Sequence, residues 1–175
     1  MENNIADLYK YFVEGECEKK FIDIYKNPEN KKLLAGKVEV FNFINNEISN
    51  GRIMQIKRNT KIILVYDTDV NKTDILDKNI KKLKSFGFKN IYHIQSIKNF
   101  EDEIVYATNI TNITKFFDKC ANKDEFKAMF LSANNGGLFT KFKSYNLDFS
   151  KIWFRQDGAN FNKYNTSNGI SLIKS

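Results

Sequence analysis

The chain has 175 residues, 42% hydrophobic and 28% charged, with a formal charge of +7. That length fits one compact domain and excludes a large motor, a barrel enzyme or two full domains. With 16 Phe and 8 Tyr there is ample material for a core, which argues against disorder throughout.

No stretch approaches the roughly 18 to 20 continuous apolar residues that cross a bilayer, and MENNIADLYK lacks a basic region followed by an apolar one. The expectation is a cytoplasmic protein with no membrane partner. Cys17 and Cys120 are too few for a disulfide framework and wrongly spaced for a zinc cluster, so two reduced thiols are expected. Lys outnumbers Arg 25 to 3 among abundant Asn and Ile. Such a bias can reflect coding composition, so net charge alone does not argue for a polyanionic partner.

In chain order, YKYFV (residues 9–13) reads as a short buried strand that stops at Glu14 and Gly15. A helix follows in ECEKKFIDIYK, where Phe21, Ile22 and Tyr25 recur at helical spacing opposite Glu18, Lys19, Lys20 and Asp23. Pro28, Asn30 and Gly36 break the pattern, and residues 38–43 return to strand-like alternation. A helix is expected within residues 45–56. The strongest strand signal is KIILVYDTD, whose residues 62–66 are all apolar or aromatic, as in a parallel strand buried on both faces.

Next, DILDKNIKKLKSFGF places Ile75, Leu76, Ile80 and Leu83 on one helical face and ends near Gly87, and residues 90–97 form the next strand. The alternation predicts an α/β domain of three layers with a largely parallel sheet over residues 1–100. Residues 101–175 are expected to form a helical extension packed on the same domain. It is interrupted at ATNITNIT and near Ala121, with a flexible Gly136-Gly137 turn and a helix over residues 138–143.

Glu14 sits at the end of the first strand, beside Gly15, which would relax steric limits at the turn. Asp67 and Asp69 follow the most hydrophobic strand. Two carboxylates so close repel unless a cation, a proton or a basic group compensates, and oxygen ligands of this kind suit Mg²⁺. Their plain alternative is loop solubility or helix capping. If the two strands are neighbours, Glu14, Asp67 and Asp69 emerge at one edge and can share an ion.

The residues Phe12-Val13-Glu14-Gly15 and Val65-Tyr66-Asp67-Thr68-Asp69 resemble the motifs of the Toprim family, the metal-binding domain of topoisomerases, bacterial primases and several small or defence-associated nucleases. The resemblance covers residues 8–97, in the family's order. It implies a three-layer Rossmann-type fold, Glu14 as general acid or base or ligand, and Asp67 and Asp69 as holders of Mg²⁺, with Mn²⁺ as a substitute ion. Glu18 occupies the place of a further acidic residue four beyond the first Glu. The stretch VEGECEKKFI is similar to the small OLD-nuclease and RloB-type proteins of bacterial antiphage systems. Those families often carry acidic residues beyond the fourth strand, and Glu101 or Glu103 of NFEDEI could supply one. The same acidic triplet also reads as a solvated first helical turn.

No tyrosine-nucleophile domain or polymerising context is recognisable, so cleavage of DNA or RNA by metal-activated water is the most economical mechanism. A second ion would involve Glu18 or an acidic residue of 101–103. Lys78, Lys81, Lys82, Lys141 and Arg155 are candidate nucleic-acid contacts, or else a solvated basic surface. His93, the single histidine, reads as a packed strand residue. Two alternatives stand beside the nuclease. One is a noncatalytic Toprim-like nucleic-acid-binding or regulatory subunit that needs a separate ATPase or other defence-system partner. The other is a phosphatase with an aspartate nucleophile, although Asn71 departs from that motif. Homo-oligomers are compatible with each.

Overall fold

A computed structural model describes residues 8–30, 32–155 and 160–164. Four strands, β1 (Leu8–Val13), β2 (Lys37–Val40), β3 (Thr60–Asp67) and β4 (Ile91–Ser96), form an all-parallel sheet in the order β2-β1-β3-β4. Helices α1 (Glu16–Tyr25), α2 (Asn50–Met54) and α3 (Asp74–Ser85) connect them, and α4 (Phe100–Ala107), α5 (Lys123–Ser132) and α6 (Asn135–Ser144) follow. The chain is a three-layer, Rossmann-like α/β domain, as the alternation of its apolar runs predicts.

Right-handed crossovers explain the layers. The chain moves from β1 to β2 in one direction and from β3 to β4 in the other, which sends α1 and α3 to opposite faces of the sheet. Alternate side chains follow them. Tyr11, Val13, Ile63, Val65 and Ile94 pack with Phe21 and Ile22 of α1. Phe12, Ile62, Leu64 and Tyr66 pack on the other face with Ile53, Leu76 and Leu83. Covering both faces is what makes β3 an unbroken apolar run instead of an alternating one.

The later helices share the α1 face. Phe21 lies 5.4 Å from Phe100, 5.3 Å from Phe142 and 5.6 Å from Trp153, ring centre to ring centre, all edge-on. Each such pair contributes about 0.5–1.5 kcal/mol beyond its buried area. One apolar cluster therefore runs from the sheet into the segment beyond residue 100. No described helix is long and apolar enough to cross a membrane, and both cysteines are free and buried.

The helix expected within residues 45–56 is Asn50–Met54, with Ser49 as its cap. Two local expectations are corrected. β2 ends at Val40, short of Phe43, because Asn42 turns the chain, its Oδ1 accepting from the amides of Ile44 at 2.9 Å and Asn45 at 2.8 Å. Gly136 and Gly137 lie inside the first turn of α6, where Asn134 caps the helix by accepting from the Gly137 amide at 2.7 Å, so they are no flexible turn.

The reason for the short α2 lies in α3. Leu76 and Leu83 are buried as expected, but Ile75 and Ile80 are only half-buried and Asn79 is buried among them. Its Oδ1 accepts from the Ile48 amide at 2.8 Å, and its Nδ2 donates to the carbonyls of Phe43 at 2.9 Å and Asn46 at 2.7 Å. One carboxamide thus serves the backbone of an irregular connection that has no ladder of its own. Asn79→Leu should leave those groups unpaired and cost about 2–3 kcal/mol, read as a lower midpoint of urea unfolding with an unchanged slope. A loss below about 0.5 kcal/mol would show that the connection holds itself.

Candidate functional site

β1 and β3 pair in parallel register, Val13 opposite Val65, so the two motifs leave the sheet side by side. They do so where the connections diverge, one toward β2 and one toward β4. Crevices outside the carboxyl ends of strands form at such a switch point. The Glu14 carboxylate lies beside the Asp67 backbone N–H and the Asn42 side-chain amide, both of which favour its charged form, so the end of β1 meets the end of β3. Thr68 ties the same loop to β4, its amide and hydroxyl each donating to the Ser96 carbonyl at 3.1 Å while the hydroxyl accepts from the Lys98 amide at 3.2 Å.

The role expected of Gly15 is also corrected. Its φ of −140° and ψ of 174° are extended backbone that any residue adopts. What Gly15 provides is room, since a Cβ there would lie 2.9 Å from Oε2 of Glu18. Glu18 is buried in the first turn of α1, and its carboxylate folds back toward Gly15, whose backbone amide favours the charged form.

The acidic residues lining a cleft of about 540 Å³ are Glu14, Glu16, Glu18, Asp67, Asp69 and Glu101. Glu101 arrives through the β4–α4 turn, where Lys98 takes a φ of 67°, in the left-handed region, and Asn99 caps α4 by accepting from the Asp102 amide at 3.0 Å. Lys123 and Lys127 of α5 also line the cleft. The Lys127 ammonium stands 3.6 Å from Glu101. Burial, the largest single influence, would lower Lys127, but the acidic groups around it, Glu101 foremost, together outweigh it and hold the ammonium above its ordinary range.

Crowded, partly buried acids hold protons. Burial, then the charges of Glu18 and Glu14, push Asp67 up to about 9. Burial, then the charge of Glu18, push Glu14 up to about 7, against the opposing pull of the Asp67 and Asn42 amides. Glu18 is raised chiefly by burial, with the charge of Glu101 acting in the same direction. Oδ1 of Asp67 is buried and has no hydrogen-bond partner. These are the needs a divalent cation meets. Among the described residues no three His, Cys, Asp or Glu side chains converge as a ready-made cage, yet Mg²⁺ is usually held by one or two carboxylates together with waters and substrate phosphates. The donor set, all hard oxygens with one left unpartnered, fits that ion.

Of the two acidic candidates in α4, only Glu101 lines the cleft. Glu103 is fully buried and fully engaged. Its carboxylate accepts from the amides of Ile97 at 2.9 Å and Trp153 at 2.8 Å and pairs with Arg155 at 2.6 Å. Glu103 is therefore a structural anchor, and its assignment as a metal ligand is withdrawn. Arg155 is withdrawn with it as a nucleic-acid contact, since its guanidinium is taken up by Glu103 and lies 4.3 Å over the Tyr106 ring. Lys78, Lys81, Lys82 and Lys141 do not line the cleft. Lys78 pairs with Glu47 at 3.1 Å, Lys82 donates to the Ile48 carbonyl at 2.6 Å, and Lys141 lies 5.5 Å from the ring centres of Phe117 and Tyr145. His93 is a packed strand residue, stacked 4.9 Å from Tyr164 and 3.2 Å from the Tyr66 hydroxyl.

The residues missed are Asn42, Asn99, Lys123 and Lys127. Only the lysines carry a sequence signal, since spacing of four puts both on one helix face. Compared with family models, with curated proteins and with solved structures, the chain matches none. Fold and cleft by themselves define a parallel α/β domain with an acidic cleft at its switch point.

Two outcomes follow from this electrostatic arrangement. Asp67 and Glu14 bind protons more tightly folded than unfolded, so the folded state carries the extra protons and stability falls as pH rises, from about 4 to about 9 for Asp67 and from about 4.5 to about 7 for Glu14. The melting temperature of chelator-treated protein should drop between pH 5 and pH 8.5. Asp67→Asn should raise it at pH 8.5 and flatten the dependence, whereas a melting temperature that climbs with pH would contradict the clustered charges. Separately, Glu103→Ala should cost about 3 kcal/mol in urea unfolding by stranding Arg155 and two amides, with Glu101→Ala costing far less.

Proposed function

We propose that the chain is a Toprim-like, Mg²⁺-dependent nuclease that hydrolyses phosphodiester bonds in DNA or RNA, with Mn²⁺ as a substitute ion. The observation that carries this is the convergence of Glu14, Asp67, Asp69 and Glu101 from three strand ends on one cleft, with a buried Asp67 oxygen left without a partner. When bound, Mg²⁺ supplies Lewis-acid polarisation of a phosphoryl oxygen and lowers the pKa of an attacking water.

Asp67 and Asp69 are the residues that hold the ion. Glu14, pushed up to about 7, titrates near neutrality, where a general base is most effective, and its carboxylate is the group to receive the proton of the attacking water. Glu18 and Glu101, which repel one another across the cleft, are the pair for a second ion. Lys123 and Lys127 on α5 give the substrate phosphate positive charge from the far wall. The similarity of VEGECEKKFI to OLD-nuclease and RloB-type proteins adds antiphage defence, with a separate ATPase as partner, to the same proposal.

The test is Mg²⁺-dependent cleavage of plasmid DNA, single-stranded DNA and structured RNA by wild type and by Asp67→Ala/Asp69→Ala. The double variant should lose more than about 100-fold in rate, since even outer-shell partners of a metal are worth 10- to 100-fold. Metal-dependent cleavage that survives unchanged in the variant would remove the site. Lys127→Ala should weaken nucleic-acid binding irrespective of sequence and reduce the slope of log affinity against log salt by about 1.

A further inference from the structure

A second cavity, of about 460 Å³, adjoins the acidic cleft. The same two loops build both. Asp69 lines the cleft and Val70 the cavity, while Asn42 lines the cleft and Ile44 and Asn45 the cavity. Asn42 links the two, because it lines the cleft beside Glu14 while its Oδ1 accepts from the amides of Ile44 and Asn45, which line the cavity. At about 3.8 Å per residue, the two linings are no more than a nucleotide's reach apart.

The chemistry of the two spaces differs. Where the cleft presents a cluster of carboxylates, the cavity presents aliphatic surface from Ile44, Val70 and Ile75, edged by the carboxamides of Asn45 and Asn71, the ammonium of Lys72 and the single carboxylate of Asp74. Aliphatic walls clamp a flat heterocycle by dispersion and exclude water. Carboxamides offer a donor and an acceptor together, the pairing that the hydrogen-bonding edge of a base requires. Lys72, exposed at the rim, suits a neighbouring phosphate. The size falls within the range of small-molecule sites.

We infer that this cavity receives the unpaired base of the nucleotide adjoining the phosphate in the acidic cleft, so that the substrate is single-stranded or flipped at that position. A base stacked and paired inside a duplex could not enter such a pocket without extrusion. The inference rests on the proposed nuclease function but is tested by binding alone.

The experiment measures equilibrium binding of a fluorescently labelled single-stranded DNA oligonucleotide, the same oligonucleotide carrying abasic residues throughout, and the corresponding duplex, with Ca²⁺ in place of Mg²⁺ to suppress cleavage. Wild type should bind the base-bearing single strand at least tenfold more tightly than either of the others. Val70→Trp and Ile75→Trp, which fill the cavity from two separate walls, should each abolish that preference while retaining the melting temperature of wild type and the affinity for the abasic strand. Equal binding of abasic and base-bearing strands by wild type would overturn the inference, as would an intact preference in both filled variants. The two levels separate cleanly. A base preference with no Mg²⁺-dependent cleavage in any substrate keeps the pocket and removes the nuclease, whereas cleavage at unchanged rate in both filled variants keeps the nuclease and removes the pocket.

Discussion

Parallel pairing of β1 with β3 over residues Leu8 to Val13 and Thr60 to Val65 is the constraint on which the remaining features depend. It places a glutamate and an aspartate at adjacent strand ends, with the Asp67 backbone amide beside Glu14, so that each carboxylate stands in the other's field. Had β2 paired between them, the two carboxylates would stand two strand spacings apart, near 10 Å, and most of their coupling would vanish. The order β2-β1-β3-β4 also makes this the one place in the sheet where successive connections diverge. Fold and electrostatics are therefore two consequences of a single pairing.

That pairing is held by apolar contact and opposed by charge. Both faces of β3 are covered, which leaves Asp67 at the mouth of a dry strand with Glu18, Glu14, Glu101 and Asp69 around it. Buried like charges of this kind reduce stability at neutral pH, and a domain tolerates them only where a large core offsets them. Here the offset is the aromatic cluster that joins Phe21 to Phe100, Phe142 and Trp153. The helices beyond residue 100 thus do more than decorate the sheet. They stabilise the face behind α1, the helix whose first turn carries Glu18.

Much of this was legible in the sequence where the signal is local. Five apolar residues before Asp67 mark β3 without ambiguity, and hydrophobic-Glu-Gly followed by a helical period marks the β1–α1 turn. What was illegible depends on partners distant in the chain. Asn79 reads as a polar position on an amphipathic helix until its three backbone partners, 31 to 36 residues away, are in place. Glu101 and Glu103 are two positions apart on a helix, so they point about 200° apart and only one can face the cleft. Which one is decided by the phase at which α4 leaves Lys98 and Asn99, a loop geometry that periodicity does not encode. Gly15 shows a different failure, since relaxed steric limits were foreseen at the turn but the backbone there is ordinary, and the room glycine leaves is taken by the Glu18 carboxylate.

The formal charge of +7 takes on a different meaning once charges are placed. Residues 1–100 hold 18 basic and 13 acidic residues, but several of those lysines lie along α3 while five of those acids, joined by Glu101, line one cleft. The long-range field attracts a polyanion, and the short-range field at the cleft repels one. Opposite signs at the two distances have a consequence under the proposed function. A phosphate backbone would be drawn to the surface by charge that salt screens within about 8–10 Å, yet it could enter the cleft only after a cation had neutralised the acids. Attraction and admission would then depend on different ions, monovalent salt weakening the first and divalent metal permitting the second.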